Sequence, residues 1–229
     1  MLVTRKELSN YIINSLENQK ELLKQSYQNS KDSIAYFYID DLLPENIAKS
    51  IYEVFPKPED TRLKKSIREY KHVAAQMDKY NPLLEDIIYA FQDARIVNFF
   101  KDVCEIDSLY PDNNLYAGGI SMMGKDNFLN PHLDNSHDKD RNYWRVLNLL
   151  YYVTPQWHKS YGGNLEIWPE GISGDPITIT SKFNRLAVMA THNKSWHSVS
   201  KVEIDSIRCC ISNYYFSKNP LMQTDSFHV

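Results

Sequence analysis

The chain of 229 residues has few cysteines, few glycines and no long apolar segment. Its three cysteines, Cys104, Cys209 and Cys210, provide neither a disulfide framework nor a CxxC metal pair. Cys209 and Cys210 are adjacent, and adjacent residues of a strand point to opposite faces, so we expect no bond between them. This cysteine usage predicts a reducing, cytoplasmic compartment.

Two further absences narrow the class of protein. No apolar segment approaches the roughly 18 residues needed to cross a bilayer, and residues 1–7 lack the apolar segment of a signal peptide. The net charge of -3 gives no excess of positive charge for nucleic acid or an anionic membrane. We therefore predict neither a membrane nor a nucleic-acid partner, and we leave the oligomeric state open.

Hydrophobic residues make up 42% of the chain and charged residues 24%, which is ordinary for a soluble protein. The length fits one domain with an N-terminal extension. We predict an N-terminal helical segment over residues 1–34 and a single domain over residues 35–229. Thr4 and Glu7 form a capping box at the start of a helix that runs to about residue 28. That helix either forms a dimer arm or covers the core.

The first half of the single domain is predicted to be mainly helical support, over residues 41–104. A short aromatic strand at 35–39 precedes a helix that begins near Pro44. Residues 59–80 are rich in charge and weakly patterned, which favours a solvated loop with a short helix; a border of the substrate entrance is the alternative for this segment. Residues 82–104 show a broad apolar face at helical spacing, which predicts one long helix that braces a sheet.

From residue 115 the pattern changes to short strands separated by turns. Several such strands in series predict a closed or double-sheet all-β architecture, a jelly roll, over residues 115–217. The fold class is therefore mainly β with N-terminal helices. The predicted strands cover residues 115–123, 145–153, 164–168, 176–180, 185–190 and 206–216.

The most informative pattern begins with His132-x-Asp134 and continues with His197 and, eleven residues later, Arg208. A His-x-Asp pair alone arises often by chance. The downstream histidine and arginine, each in a predicted strand, make the combination far more specific. Two imidazoles and one carboxylate leave open positions on a metal, as in non-heme Fe(II) sites. The guanidinium is suited to the distal carboxylate of a dicarboxylate.

Residues from about 35 to 217 resemble the Fe(II)/2-oxoglutarate-dependent oxygenase superfamily, specifically its prolyl-4-hydroxylase-like branch in bacteria and phages. The resemblance rests on the order and spacing of several segments, far beyond a three-residue motif. These segments are residues 128–134, 145–152, Trp157, 161–168, 183–186, 196–197, Arg208 and 214–215.

This resemblance implies a double-stranded β-helix, a cupin-like jelly roll, with helices packed on one side. It also implies the cofactors Fe(II), 2-oxoglutarate and dioxygen. In the family pattern His132, Asp134 and His197 hold the iron. Arg208 and Tyr152 would then bind the 5-carboxylate of 2-oxoglutarate, and Asn148 stands where the family often has threonine facing the co-substrate.

Strand geometry agrees with these implied roles. Asn148 and Tyr152 are four residues apart in a predicted strand and so share a face. Burying Arg208 is costly unless an anion pairs with it, and a dicarboxylate co-substrate supplies that anion.

The sequence departs from the family pattern at one place. The family often has a tyrosine about ten residues before the first metal ligand, whereas this chain has Met122, Met123 and Gly124 there. Either a methionine fills that side of the pocket or another residue supplies the hydroxyl contact. Tyr116 is a poor substitute by its position.

The resemblance implies a hydroxylase of an unactivated C–H bond. The presence of Asp134 favours hydroxylation over halogenation, while desaturation, epimerisation and ring closure stay open. Polar loops favour a small polar substrate, such as an amino acid, sugar or nucleotide derivative, and His137 and Trp196 are candidate substrate contacts. Three alternatives stay open: a peptidyl-prolyl hydroxylase, a non-catalytic metal-binding jelly roll, and a zinc hydrolase, which lacks an assigned general base.

Overall fold

The structure is a computed structural model that describes residues 3–222. Among the described residues, five α-helices precede most of the strands. They are α1 Arg5–Glu17, α2 Lys20–Asn29, α3 Glu45–Glu53, α4 Pro82–Ala90 and α5 Ala94–Val103.

Apart from three short 3₁₀-helices, at Pro58–Asp60, Met77–Lys79 and Lys159–Tyr161, the remaining regular structure of the described residues is β-sheet. The strands are β1 Tyr36–Ile39, β2 Arg62–Lys65, β3 Glu69–Ala74, β4 Tyr110–Pro111, β5 Gly119–Met123, β6 Phe128–His132, β7 Trp144–Tyr152, β8 Leu165–Ile167, β9 Ile177–Ile179, β10 Arg185–Ala190, β11 His197–Val199 and β12 Arg208–Ser217.

All of these strands pair antiparallel, in the order β1-β10-β7-β12-β5-β3-β6-β11-β8-β9, with β2 beside β3 and β4 beside β12. The sheet curls on itself, so strands far apart in this order face each other. Leu150 of β7 and Leu165 of β8 belong to one buried cluster for this reason. The mainly β class with a jelly-roll core is confirmed.

Strand β7 separates the helical side of the molecule from the interior of the curled sheet. Leu147, Leu149 and Tyr151 belong to the large core that includes the helices. The alternate residues Leu150 and Tyr152 face the interior cluster, as the two-residue period of a strand requires. The same strand thus supports the core with one face and the site with the other.

The predicted N-terminal helix is two helices, because the chain turns at Asn18 and Gln19. Asn18 ends α1, and the Gln19 backbone N–H bonds to the Leu16 carbonyl in a tighter turn. The capping box of Thr4 and Glu7 is present. Leu16 is fully buried and α1 packs against α4 and α5. Of the two roles considered for this segment, covering the core is the one the structure shows.

The prediction of one long helix over residues 82–104 is also wrong. Helices α4 and α5 are separated because Asp93, with an extended ψ of 132°, caps a new helix by accepting a hydrogen bond from the Arg95 backbone N–H. The apolar face continues across the break, which is why the spacing alone predicted a single helix.

The predicted loop over residues 59–80 is wrong in its main part. Strands β2 and β3 form a hairpin there, and β3 joins the sheet between β5 and β6. Its tip carries Ile67, which is 93% exposed. The hairpin has little apolar alternation because both of its faces are polar, and charge of this kind is common on strands near a sheet edge.

The predicted strand at 115–123 begins later, at Gly119. The preceding residues wrap around the Asp112 carboxylate, which accepts hydrogen bonds from the backbone N–H groups of Tyr116, Ala117 and Gly118. The other predicted strands after residue 144 are confirmed, with ends that differ by at most two residues.

The three cysteines are buried and unbonded. Burial raises the pKa of each thiol, to about 12 for Cys209. Within residues 3–222, no helix combines the length and the hydrophobicity needed to cross a membrane.

Candidate active site

Two histidines meet inside the curled sheet. His132 is the last residue of β6 and His197 is the first of β11, and the two are direct partners in the antiparallel register. Their ring centroids are 4.2 Å apart. Side chains of a directly opposed pair lie on the same face of the sheet, so the register itself brings the two imidazoles together.

Asp134 completes a cluster with the two histidines. Its carboxylate oxygens lie 3.9 Å from Nε2 of His132 and 3.8 Å from Nε2 of His197. The three ligand atoms lie within 4.8 Å of one another, a spacing that could hold one metal ion. Asp134 lies two residues after His132, the last residue of β6, so the His-x-Asp spacing returns the carboxylate to the side of the sheet that carries the imidazoles.

Both imidazoles are oriented in the same way. Nδ1 of His132 lies 2.9 Å from the carbonyl oxygen of Asn130, and Nδ1 of His197 lies 2.9 Å from that of Ser195. A carbonyl accepts only, so in each ring Nδ1–H donates and Nε2 keeps its lone pair toward the cluster. Fixing the tautomer through the other ring nitrogen is how proteins prepare histidine for a metal.

The electrostatics favour the protonation states that a metal needs. Burial, together with the neighbouring His197, lowers the pKa of His132 to about 3. Burial alone would raise the pKa of Asp134, but His197, Arg145 and His132 outweigh it and hold that pKa below its ordinary value. At neutral pH the cluster therefore has a neutral His132 beside an ionised Asp134, which is the ligand form for metal binding.

The pKa of His132 gives a prediction for metal-free protein. The unfolded chain takes up a proton at this residue near pH 6.5 and the folded chain only near 3. The unfolded state thus binds more protons between these values, and stability falls as the pH is lowered through this window. We expect a loss of about 2 kcal/mol from this group between pH 6.5 and 4.5. Urea unfolding with chelator present measures it.

The control for that experiment is His132→Gln, which removes the titrating group. Its stability should depend on pH less steeply than that of the wild type over the same window. Equal slopes in the two proteins would show that His132 titrates normally in the folded chain.

Arg145 is a charged neighbour of the cluster that the sequence analysis missed. Its Nη1 lies 3.6 Å from Asp134, and its guanidinium carbon lies 4.6 Å from the centre of the Tyr214 ring. The side chain is 7% exposed. The signal in the sequence was a single arginine at the start of an otherwise apolar strand, a position that a buried cation occupies only with a partner.

A second cation, Arg208, is buried deeper in the same cavity and is 2% exposed. Its Nε donates a 3.2 Å hydrogen bond to Oγ of Ser181, another residue that the sequence analysis missed. Within residues 3–222, no carboxylate lies within 4.0 Å of this guanidinium, and its Nη1 is buried without a hydrogen-bond partner. A buried charge in this state calls for an anion.

Gly163 makes the position of Arg208 sterically feasible. This glycine has a φ of +65°, and a Cβ built on it would lie 2.9 Å from Cδ of Arg208. Only glycine combines that backbone conformation with room for the arginine stem. The Gly162-Gly163 pair in the sequence is therefore part of the wall of the arginine pocket.

Two other polar side chains in this region are without partners among the described residues. The hydroxyl of Tyr152 and Oδ1 of Asn148 are buried and make no hydrogen bond. The Arg208 guanidinium carbon lies 5.0 Å from the centre of the Tyr152 ring. Burial raises the pKa of Tyr152 to about 12, so its hydroxyl stays protonated as a donor. The Tyr152 hydroxyl therefore fits a carboxylate ligand held by Arg208, whereas Oδ1 of Asn148 can only accept from a donor.

The cluster and Arg208 open into one cavity of about 930 Å³. The hairpin β2–β3 forms its other side. Met123 lines the cavity, whereas Met122 lies in the large core on the helical side. Met123 is therefore the methionine of this pair that reaches the cavity. Tyr116 reaches the cavity wall too, although its position in the sequence argued against it.

The two candidate substrate contacts are not on the cavity wall. The His137 ring lies tilted against the Trp144 ring with centroids 4.0 Å apart, and its Nδ1 pairs with Oγ of Ser136. The Trp196 carbonyl accepts from the backbone N–H of Trp168, and the Trp196 side chain is outside the cavity lining. The structure thus brings together the six metal and co-substrate candidates but neither of these two.

A curled antiparallel sheet with two histidines and an aspartate beside a buried arginine defines a class of protein, the jelly-roll proteins with a mononuclear metal site. The comparison with family models is more specific. Residues 118–216 match the model described as the 2OG-Fe(II) oxygenase superfamily. The matched residues carry the whole cluster and Arg208, so the site lies in the part of the chain that is similar to this superfamily of Fe(II)- and 2-oxoglutarate-dependent oxygenases.

Solved structures agree on the fold. A prolyl hydroxylase from Trichoplax adhaerens, in complex with a hypoxia inducible factor peptide, has a TM-score of 0.61 at 14% identity, over 88% of this chain and 92% of that chain. A Pseudomonas putida prolyl-4-hydroxylase has a TM-score of 0.60 at 12% identity, over 86% and 100%.

A third neighbour differs in its ligand. HygX from Streptomyces hygroscopicus, with nickel, 2-oxoglutarate and hygromycin B bound, has a TM-score of 0.56 at 12% identity, over 83% of this chain and 86% of that chain. No curated protein matches the chain significantly in sequence. Neighbours of one fold therefore bind a peptide in one case and a small molecule in another.

Proposed function

We propose that this protein is an Fe(II)- and 2-oxoglutarate-dependent dioxygenase that hydroxylates an unactivated C–H bond of a polar small molecule. In this proposal His132, Asp134 and His197 hold the iron. When bound, the iron and 2-oxoglutarate supply the oxidation, in which dioxygen converts 2-oxoglutarate to succinate and carbon dioxide and hydroxylates the substrate.

One observation carries the proposal. Arg208 is a buried cation without a carboxylate partner among the described residues, and it opens into the same cavity as the His/Asp/His cluster. A structural metal site has no use for a separate dicarboxylate pocket. The non-catalytic alternative and the zinc hydrolase explain the cluster but leave Arg208 unexplained.

The residues around the site have definable tasks. Arg208 binds the 5-carboxylate, and the protonated Tyr152 hydroxyl donates to the same group. Asn148 offers a side-chain amide to the co-substrate. Ser181 orients the arginine by accepting from its Nε. The apolar side chains of Leu150, Leu165 and Met123 exclude water from the reacting end of the cavity.

The size of the cavity favours a small-molecule substrate over a peptidyl-prolyl one. A volume of about 930 Å³ is within the range of small-molecule sites, and the co-substrate takes part of it. The free cysteines agree with a reducing compartment, and the cytoplasm stays a prediction from composition.

Anaerobic titration tests the cofactor chemistry. Protein loaded with Fe(II) should develop a visible charge-transfer band when 2-oxoglutarate is added, and His132→Ala should give none. Asn14→Ala, a change on a surface helix, serves as the matched control and should keep the band. Folded wild-type protein that gives no band would overturn the proposal and favour a metal-binding protein without oxidative chemistry.

A second experiment separates the two substrate classes. Succinate release from 2-oxoglutarate under air is measured with a panel of amino acids, sugars and nucleotides, and in parallel with a proline-rich peptide. We expect stimulation by a member of the small-molecule panel. Stimulation by the peptide alone would replace the small-molecule proposal by a peptidyl-prolyl hydroxylase.

A further inference from the structure

The charge of the cavity wall is opposite in sign to that of the chain. Seven lysine and arginine side chains line the cavity against three aspartate and glutamate side chains, whereas the whole chain has a net charge of -3. Most of the excess cations are contributed by the hairpin β2–β3 and the residues next to it. They include Arg62, Lys64, Arg68 and Lys71.

The proposed cofactors do not neutralise this excess. A divalent metal and a dicarboxylate bring equal and opposite charges, so their joint binding leaves the charge of the wall as it was. The positive charge of the wall therefore acts on the substrate, which binds after the metal and 2-oxoglutarate. A cleft lined by one sign of charge concentrates ligands of the other sign.

Lys71 and Arg68 are two of the hairpin residues that line the cavity into which the metal cluster opens. Lys71 is 18% exposed, lies 2.9 Å from the Glu69 carboxylate and is close enough to Asp134 to interact with it electrostatically. Arg68 acts on His132 in the same way. The part of the cavity wall that the hairpin provides is therefore cationic.

Arg68 has a buried nitrogen, Nε, without a hydrogen-bond partner among the described residues. The backbone that carries it is fixed, because the Asn130 N–H donates to the Arg68 carbonyl and the Asn130 side chain donates to the Ile67 carbonyl. A guanidinium held next to the site with an unused donor is a recognition group for a carboxylate or phosphate.

We propose that Arg68 and Lys71 form a second anion subsite, which binds a carboxylate or phosphate group of a small-molecule substrate. This inference rests on the proposed function and specifies its substrate class as acidic small molecules. Arg208 holds the co-substrate in this arrangement, and the hairpin holds the anionic end of the substrate, with the cluster between them.

The test uses protein loaded with Mn(II), a paramagnetic substitute that supports no turnover, and saturated with 2-oxoglutarate so that Arg208 is occupied. The probes are inorganic phosphate, followed by ³¹P relaxation, and ¹³C-labelled acetate, followed by ¹³C relaxation. We expect the bound Mn(II) to shorten the relaxation time of at least one probe. The stronger response identifies phosphate or carboxylate as the preferred group.

Variants locate the subsite. Arg68→Gln and Lys71→Gln should each weaken binding of the responding probe by about tenfold or more, as expected for loss of a charged hydrogen bond. Arg68→Lys keeps the charge and should retain part of the affinity. Lys65→Gln is the matched control, because Lys65 lies on the same hairpin, packs over the Tyr70 ring and is outside the cavity lining.

The possible failures are distinguishable. Mn(II) that stays free, as judged by its own electron paramagnetic resonance signal, overturns the proposed function and this inference with it. If Mn(II) and 2-oxoglutarate bind but neither probe responds, the anion subsite alone is overturned. The anion subsite alone is also overturned if Lys65→Gln weakens binding of the probe as much as Arg68→Gln does.

Discussion

Arg208→Met should weaken 2-oxoglutarate binding by roughly 100-fold, about 3 kcal/mol, while metal binding stays within a few-fold of the wild type. The arginine is 2% exposed and its nearest polar partner among the described residues is the neutral Ser181. The proposed 5-carboxylate contact is therefore the main compensation for its buried charge. Calorimetric titration of 2-oxoglutarate into Mn(II)-loaded protein measures the effect.

The same substitution has an opposite effect on the ligand-free fold. Removing a buried cation without a carboxylate partner relieves an electrostatic cost, and methionine fills similar space. We expect the metal-free variant to unfold at the wild-type temperature or above it, and to lose the stabilisation that 2-oxoglutarate gives. If the variant binds 2-oxoglutarate like the wild type, Arg208 does not contribute to the co-substrate pocket.

Gly163→Ala is an independent test of the same pocket. The added Cβ would lie 2.9 Å from Cδ of Arg208 on a backbone with φ of +65°, so the arginine has to move or the turn has to distort. We expect weaker 2-oxoglutarate binding without a change in any charged group. Gly171→Ala is the control, because its φ of +78° gives similar backbone strain while its Cβ would meet nothing within 4 Å.

Asp134→Ala should weaken metal binding by more than about 100-fold, since changes that touch a metal ligand only indirectly already cost 10- to 100-fold. The carboxylate lies within 4.0 Å of both imidazoles and supplies the negative charge of the cluster. Competition between the protein and a chelator for Mn(II) measures the loss. Asp175→Ala, at an exposed position, should bind the metal like the wild type.

The aspartate change also bears on Arg145, which lies 3.6 Å from that carboxylate. Asp134→Ala leaves Arg145 buried without its ion pair, so the variant should be less stable as well. The double variant Asp134→Ala with Arg145→Met should recover stability but not metal binding. If Asp134→Ala alone kept the metal affinity, the cluster would not be the metal site.

The sequence was most informative about strands in which each face has a single environment, either buried or exposed. The five strands predicted after residue 144 match to within two residues because buried β-strands show continuous or alternating apolar residues, whereas the short strand β11 was not among them. The grouping of His132, His197 and Arg208 followed from their order in the chain. Direct pairing of His132 with His197 could not be predicted, because register depends on contacts between segments distant in sequence.

The sequence was least informative about the hairpin and the helix breaks. Residues 62–74 carry polar side chains on both faces because one face borders the cavity and the other meets solvent, so their two-residue period is hidden. The break at Asp93 interrupts no apolar spacing, since α4 and α5 bury the same kind of face. Met122 and Met123 illustrate the limit of single-residue assignment, as a shift by one position decides which of them reaches the cavity.

The buried cysteines have a practical consequence for measuring whether the hairpin moves. All three thiols are shielded from solvent and their pKa values are raised, so thiol-reactive dyes and spin labels react with them slowly. A single cysteine introduced at Ile67, which is 93% exposed at the hairpin tip, would therefore be labelled selectively in the otherwise native chain. The distance from that label to Mn(II) in the cluster reports directly on whether the hairpin closes over the cavity when a ligand enters.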